Sequence, residues 1–321
     1  MMQVSDILYG FYFDNSGLTK RIKNTAELDA YRSHWLHFDY TLPSTTLWLR
    51  NHSKLNPTVI DALLNEETRP RATSLDGGLL ISLRGVNLAA GSDPEDMVSI
   101  RLWVTNDKVI STRCRKLLST LDIANDFNQG NGPSSPSRFV IELTEKLISR
   151  MSDTINDIEE KIANIEEAIL TSTNYSLRNE LSILRRQIIS LRRYLSPQKE
   201  AMIQLLSDKI TLFSNEDKIQ LRETLDHLVR YIEDLDSIKD RATVSQEELS
   251  NRLAEQMNNR MYVLSIVAAI FLPLGFLTGL FGVNVGGIPG AESSDSFAIF
   301  NLLLIGVVII QVWIFKKKNW F

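Results

Sequence analysis

Residues that usually carry chemistry are scarce in this sequence. One cysteine, Cys114, stands among 321 residues, so no intrachain disulfide can form, which fits a reducing compartment. There is no Cys-rich metal site, no Gly-rich phosphate loop and no nucleophile elbow. The chain therefore reads as a non-enzyme without a resident cofactor. Positive charge is also thin: the net charge is −4, with no long basic stripe, which excludes nucleic acid as a partner. The first residues, MMQVSDILYGFYFD, lack the basic patch, apolar run and small-residue site of a cleavable signal peptide.

The charge that exists is unevenly spread. From Asn259 onward four basic and two acidic residues give +2, so residues 1–258 carry −6. That C-terminal part holds two uncharged runs, 261–281 and 297–315. At ~1.5 Å per residue the first makes ~30 Å of helix, the thickness of a bilayer's hydrocarbon core. Both are read as transmembrane helices. Arg252 and Arg260 precede the first span, KKK follows the second, and the connecting loop has neither Lys nor Arg. The positive-inside rule then puts both termini in the cytoplasm and loop 282–296 outside, with Trp313 and Trp320 at the interface. Pro273, mid-span, is tolerable in a membrane where neighbouring groups satisfy the freed backbone.

Steps of three and four along the first span pick out Asn258, Met261, Ser265, Ala268, Leu272, Gly275 and Gly279. Two readings fit this narrow, small-sided stripe: close helix packing, or the lining of an aqueous path. Two helices cannot enclose such a path, so a pore would need several copies around a rotation axis.

The middle of the chain, from Ser137, is helical. Ile148, Met151, Ile155, Ile158, Ile162, Ile165 and Ile169 form a heptad seam. TSTN (171–174) interrupts it, and Leu177, Leu181, Leu184, Ile188, Leu191 and Leu195 form a second. Ser196-Pro197 is expected to cap and begin a further helix. SNED (214–217) is expected to start another, running unbroken from about Glu216 to Phe281, because Leu221, Leu225, Leu228, Ile232, Leu235 and Ile238 keep helical spacing with no early Gly or Pro.

Residues 1–132 read as mixed α and β. ILYGFYFD and HWLHFDY are strands, the first turning at Asn15-Ser16-Gly17; Ser44 and Asn56-Pro57 start short helices. Asp76-Gly77-Gly78 and Asn106-Asp107 each join two strands into a hairpin. NQGNGPSSPS (128–137) is read as a linker. His34 and His37, three apart, would be half a zinc site on a helix, but on a strand they face opposite sides. The acidic pairs Glu159-Glu160, Glu166-Glu167, Glu233-Asp234 and Glu247-Glu248 read mainly as a solvated face. The expected division is a cytoplasmic α/β domain (1–132), a cytoplasmic helical hairpin and stalk (133–258) and a transmembrane domain (259–321).

After the first span comes GLFGVNVGGIPGAES (279–293). Its Gly282-Val283-Asn284, following IFLPLGFLTGLFGVN, resembles the signature of the CorA family of divalent-metal transporters, in which Gly-Met-Asn ends the first of two C-terminal spans. KKKNWF resembles that family's basic and aromatic tail. The Val variant before GGIPG, with EETRPR at 66–71, looks like the family's ZntB zinc-transporter branch. The resemblance covers the whole chain, most specifically its C-terminal motif.

The resemblance implies an α+β multidomain membrane protein assembled as a funnel-shaped homopentamer in the bacterial inner membrane. Five first spans would line the pore, with Asn258, Met261, Ala268, Leu272, Gly275 and Gly279 at pore-facing positions and Gly282, Val283 and Asn284 at the outer mouth. It implies Zn2+ as cargo, with Cd2+, Ni2+, Co2+ or Mg2+ as further cargoes, taken up and coupled to protons. The alternative within the class is a passive Mg2+, Co2+ or Ni2+ channel. A different class, a membrane-anchored scaffold, would need neither the Gly-Val-Asn mouth nor the stripe. A neutral amide such as that of Asn284 can accept hydrogen bonds from the waters of a hydrated cation without holding it irreversibly. Glu292 and Asp295 in the outer loop would concentrate cations there.

Overall fold

The computed structural model describes all residues except 1–6, 14–20, 26–27, 30–31, 67, 172–173, 283–293 and 319–321. These fall into two compact units, Met1–Gln246 and Glu247–Phe321.

The first unit is built on a six-stranded mixed sheet. Its strands are β1 (Ile7–Tyr12), β2 (His34–Asp39), β3 (Arg71–Leu75), β4 (Gly78–Gly85), β5 (Val98–Val104) and β6 (Lys108–Arg113), in the order β1-β2-β6-β5-β4-β3. Among the described residues only the β2–β6 pair is parallel. Both expected hairpins form. Asp76 and Gly77 take φ of 45° and 74°, the two positive values of a tight primed turn that matches strand twist. The turn at Asn15-Ser16-Gly17 lies outside the described residues.

Alternation along the strands divides the unit into layers. Ile81, Leu83, Ile100, Leu102 and Val109 point to one face, into a core with helices α3 (Leu118–Asn128) and α4 (Pro136–Ser149). Leu36, Phe38, Leu80, Trp103 and Ile110 point to the other face, where α1 (Pro43–Asn51) and α2 (Pro57–Leu64) supply Trp48, Leu49, Val59 and Leu63. The segment 128–137 is a shorter link than expected, because Asn128 ends α3 and Ser135 caps α4 by accepting from the Arg138 amide at 3.2 Å.

Both seams are buried along their length, on α5 (Met151–Thr171) and α6 (Tyr175–Leu205). The first seam begins on α4, which is separated from α5 at Arg150. Each Ile or Leu so buried contributes ~1.5–3 kcal/mol relative to exposure. The helix break expected at Ser196-Pro197 is absent: α6 runs through Pro197. Packing on both sides of the proline explains this. Leu195, Gln198, Ala201, Met202 and Leu205 are buried, and Gln198 Oε1 accepts from the Arg84 amide of β4 at 2.7 Å. Those contacts offset the one hydrogen bond that proline removes.

The long helix α7 spans Asn215–Phe281 and contributes residues to both units. Its start is a reciprocal cap. Ser214 Oγ accepts from the Asp217 amide at 3.1 Å, and Asp217 Oδ2 accepts from the Ser214 amide at 3.0 Å. In the second unit α7 is joined by α8 (Ser296–Lys317).

Candidate functional site

Helices α7 and α8 each contain a stretch long and apolar enough to cross a membrane, and neither stretch is buried within the chain. Exposed apolar surface on this scale marks a face made for lipid or for other copies.

The two spans meet along defined faces. On α7 the partly covered residues are Ile266, Ala269, Ile270, Pro273, Leu274 and Leu277. On α8 they include Phe300, Leu304, Val307, Gln311 and Phe315. The Phe281 and Phe300 rings lie 5.4 Å apart, and Gln311 Nε2 donates to the Ala269 carbonyl at 3.2 Å. The stripe lies elsewhere. Asn258, Met261, Ser265, Ala268, Leu272, Gly275 and Gly279 are all exposed. With 3.6 residues per turn, the stripe is centred ~140° from the face that α8 covers. A Cβ built on Gly275 or Gly279 would meet nothing within 4 Å. Small size at these two positions therefore does not serve packing of α7 on α8. Leu272, 74% exposed, is the most open large side chain of the stripe.

The polar hydroxyls and amide of the spans mostly satisfy themselves locally. Ser265 Oγ donates to the Met261 carbonyl at 2.8 Å, Thr278 Oγ1 to that of Leu274 at 3.0 Å, and Asn301 Nδ2 to that of Phe297 at 2.8 Å. The Gly282 amide donates to the Thr278 carbonyl at 2.9 Å, continuing the helical pattern one residue past Phe281. A Cβ at Gly282 would sit 2.8 Å from that carbonyl oxygen, so the close approach requires glycine. Val283, Asn284 and Glu292 lie outside the described residues. Asp295 is exposed at the N-cap position of α8, where negative charge suits the helix dipole.

Elsewhere the candidate ligands are engaged in structure. His34 and His37 sit on β2, as their alternation predicts, and both are buried. His34 Nδ1 lies 2.7 Å from the Arg32 carbonyl, and His37 Nδ1 lies 2.7 Å from Ser111 Oγ. Burial lowers the pKa of His34 and drives that of His37 well down, favouring the neutral ring in both. Among the described residues no three His, Cys, Asp or Glu side chains gather as a metal cage. Several acidic residues are tied in ion pairs. Arg241 of α7 donates to Glu166 at 2.7 and 3.1 Å and to Glu159 at 3.3 Å, joining α7 to α5. Arg252 pairs with Glu248 at 2.6 Å.

Two residues acquire significance only in three dimensions. Burial pushes the Glu142 carboxyl of α4 up to about 7. Gln311 is in sequence merely a polar member of the second span, and its reach to Ala269 depends on how the spans face each other.

Comparison with known proteins gives one consistent result. The model of the family described as CorA-like Mg2+ transporter protein matches residues 32–317. The chain is 38% identical over 319 residues to the zinc transport protein ZntB of Yersinia enterocolitica, covering 99% of this chain and 97% of that one. It is also 38% identical over 320 residues to the divalent cation transporter CmaX of Pseudomonas aeruginosa, covering 98% and 96%. The solved structure of the full-length CmaX protein superposes with a TM-score of 0.85 at 38% identity, over 98% of each chain.

Proposed function

This chain belongs to the family of CorA-like Mg2+ transporter proteins, and from that membership we propose that it carries Zn2+ through a pore lined by α7. It is a divalent-metal-cation transporter of that family, with two candidate membrane-spanning helices. The observation that carries the pore reading is the position of the stripe, exposed and turned away from α8. An aqueous path needs several such faces around an axis, and five copies, as the family resemblance implies, would supply them.

Zinc is favoured over magnesium as the principal cargo by the full-length similarity to ZntB and by Val283, where the magnesium-type motif has Met. Neither span contains a thiolate, imidazole or carboxylate that would trap zinc in transit. With the large N-terminal unit and both termini in the cytoplasm, an inside-negative potential favours uptake. The gain is ~2.3 kcal/mol per charge per 100 mV, hence ~4.6 kcal/mol for a divalent ion. Neither span contains Asp, Glu, Lys, Arg or His as an obvious proton relay, so proton coupling would use groups elsewhere. Asn284 would meet the hydrated ion at the outer mouth, with Glu292 and Asp295 raising its local concentration.

The lone exposed Cys114 makes a direct test simple. On a Cys114→Ser background, Ala268→Cys and Leu272→Cys are expected to react with a membrane-impermeant thiol reagent and to lose metal uptake as they do. Leu303→Cys on α8 is expected to stay unreactive. Equal reaction at all three positions would contradict the pore assignment.

A further inference from the structure

Pro273 lies inside α7 and has no N–H. In an α-helix that N–H would have donated to the carbonyl four residues earlier, which belongs to Ala269. The proline ring also crowds the same carbonyl. In a membrane no water replaces the lost donor. The Ala269 carbonyl is the one that Gln311 reaches from α8, with Nε2 to O at 3.2 Å.

We propose that Gln311 is a positioning residue for transport: its amide replaces the donor that Pro273 removes and fastens α8 to the break in the pore-lining span. The inference rests on the reading of α7 as that span. Three observations single Gln311 out. Ser265, Thr278 and Asn301 donate to carbonyls of their own helices, whereas Gln311 donates across to the other helix. Its target is the carbonyl that proline orphans. Its Oε1 is buried with no donor among the described residues. An apolar side chain would avoid that unpaired oxygen, so the amide's presence calls for a return that packing alone does not give.

The consequence is local and mechanical. A helix missing one rung bends more readily at that point. Pro273 adjoins Leu272, the most open large residue of the stripe, so bending there would move the stripe. Gln311 closes the gap from outside and makes the two spans move together at this level. It touches no ion, so it governs the rate of conduction rather than the affinity for metal.

A double-mutant cycle between the two residues tests this. In Pro273→Ala the residue at 273 regains its N–H and satisfies Ala269, so Gln311 has nothing left to do. Gln311→Met keeps the length of the side chain and removes the donor. The full chain is assembled in bilayers with carbonyl-13C alanine and amide-15N isoleucine, which marks three Ala–Ile pairs, 168–169, 269–270 and 298–299. Solid-state NMR should show that Gln311→Met moves the Ala269 carbonyl signal toward a weaker hydrogen bond. On the Pro273→Ala background it should leave that signal in place. In parallel, uptake of Zn2+ alone and of Mg2+ alone is measured in liposomes. Gln311→Met should lower the maximal rate about threefold to tenfold, the size of one interhelical hydrogen bond in a membrane. KM should stay within about twofold, and the substitution should have no effect beside Pro273→Ala. An unmoved carbonyl signal overturns the hydrogen bond. A moved signal with unchanged uptake, or an equal loss of uptake in both backgrounds, overturns the positioning role and leaves the pore reading standing. If wild-type protein carries neither metal, the transport reading fails, while the NMR arm still decides the hydrogen bond.

Discussion

An aspartate placed at Leu272 and one placed at Leu303 should have opposite fates. Both leucines lie in the spans and are open in the isolated chain, 74% and 44% exposed. Only Leu272 is on the stripe that faces away from α8. A carboxylate at the centre of a lipid-facing helix costs ~3 kcal/mol on insertion, a factor of ~150 in the equilibrium. A carboxylate facing a hydrated lumen keeps its water and avoids most of that cost. Leu272→Asp is therefore expected in the membrane fraction within about twofold of wild-type amounts, with normal assembly in detergent. Leu303→Asp should fall by ~10-fold or more, since quality control removes chains that insert poorly. Flux supplies a second reading. Several carboxylates around the path would hold a divalent ion more firmly than leucines do, so Leu272→Asp should slow saturated uptake in correctly assembled protein. Membrane yield is measured by quantitative immunoblot, and flux in liposomes at matched protein content. Loss of Leu272→Asp with normal insertion of Leu303→Asp would refute the orientation. Equal yield and equal flux for the two would refute it as well.

Asn284→Ala is expected to abolish metal flux with little effect on folding; wild-type flux from a correctly assembled mutant would remove Asn284 from the outer mouth. Ile162→Ala, at a fully buried seam position, should cost ~2–5 kcal/mol in the N-terminal unit, read as a lower midpoint in denaturant, and a loss below 1 kcal/mol would refute the seam packing. Glu142 gives a pH dependence. Desolvation raises its pKa from 4.5 to about 7, with Asp126 and Glu145 adding to the rise and Lys146 and Arg138 opposing it. Between those values the folded chain holds a proton that the unfolded chain has released. Its contribution is therefore full below pH 4.5 and lost as pH rises through 7. For a half-buried group, solvent screening limits this to ~1–2 kcal/mol. Glu142→Gln should flatten the difference in thermal stability across that window, and an unchanged slope would contradict the raised pKa.

Much of the architecture was legible because local chemistry and tertiary packing agree. Asp76-Gly77 reads as a hairpin because both residues accept the positive φ that the turn needs. The seams of α5 and α6 read as helices because a side chain every three or four residues lies on one face, and that face is buried. Where the signals conflict, sequence misleads. Helix α3 goes unrecognised because Ser119, Thr120, Asp122, Asn125 and Asp126 look like loop, and Leu117 at its N-cap position gives no polar cap. Its apolar residues Ile123, Ala124 and Phe127 are held by the sheet instead. Pro197 looks like a helix start because a proline suits that position, yet burial on both sides keeps α6 continuous. On the spans, spacing alone outlines the stripe and leaves both packing and lining open, with packing the first reading. Which face of α7 meets Phe300 and Gln311 is a tertiary fact, and no pattern within one helix records it.

The most direct measurement is uptake of metal by liposomes containing the purified full-length protein, with Zn2+ and Mg2+ compared at equal pH on both sides and then under a proton gradient. The account predicts saturable Zn2+ uptake faster than Mg2+ uptake and abolished by Asn284→Ala. Uptake of Mg2+ without Zn2+ would contradict zinc as the cargo, and flux of neither metal would contradict transport itself.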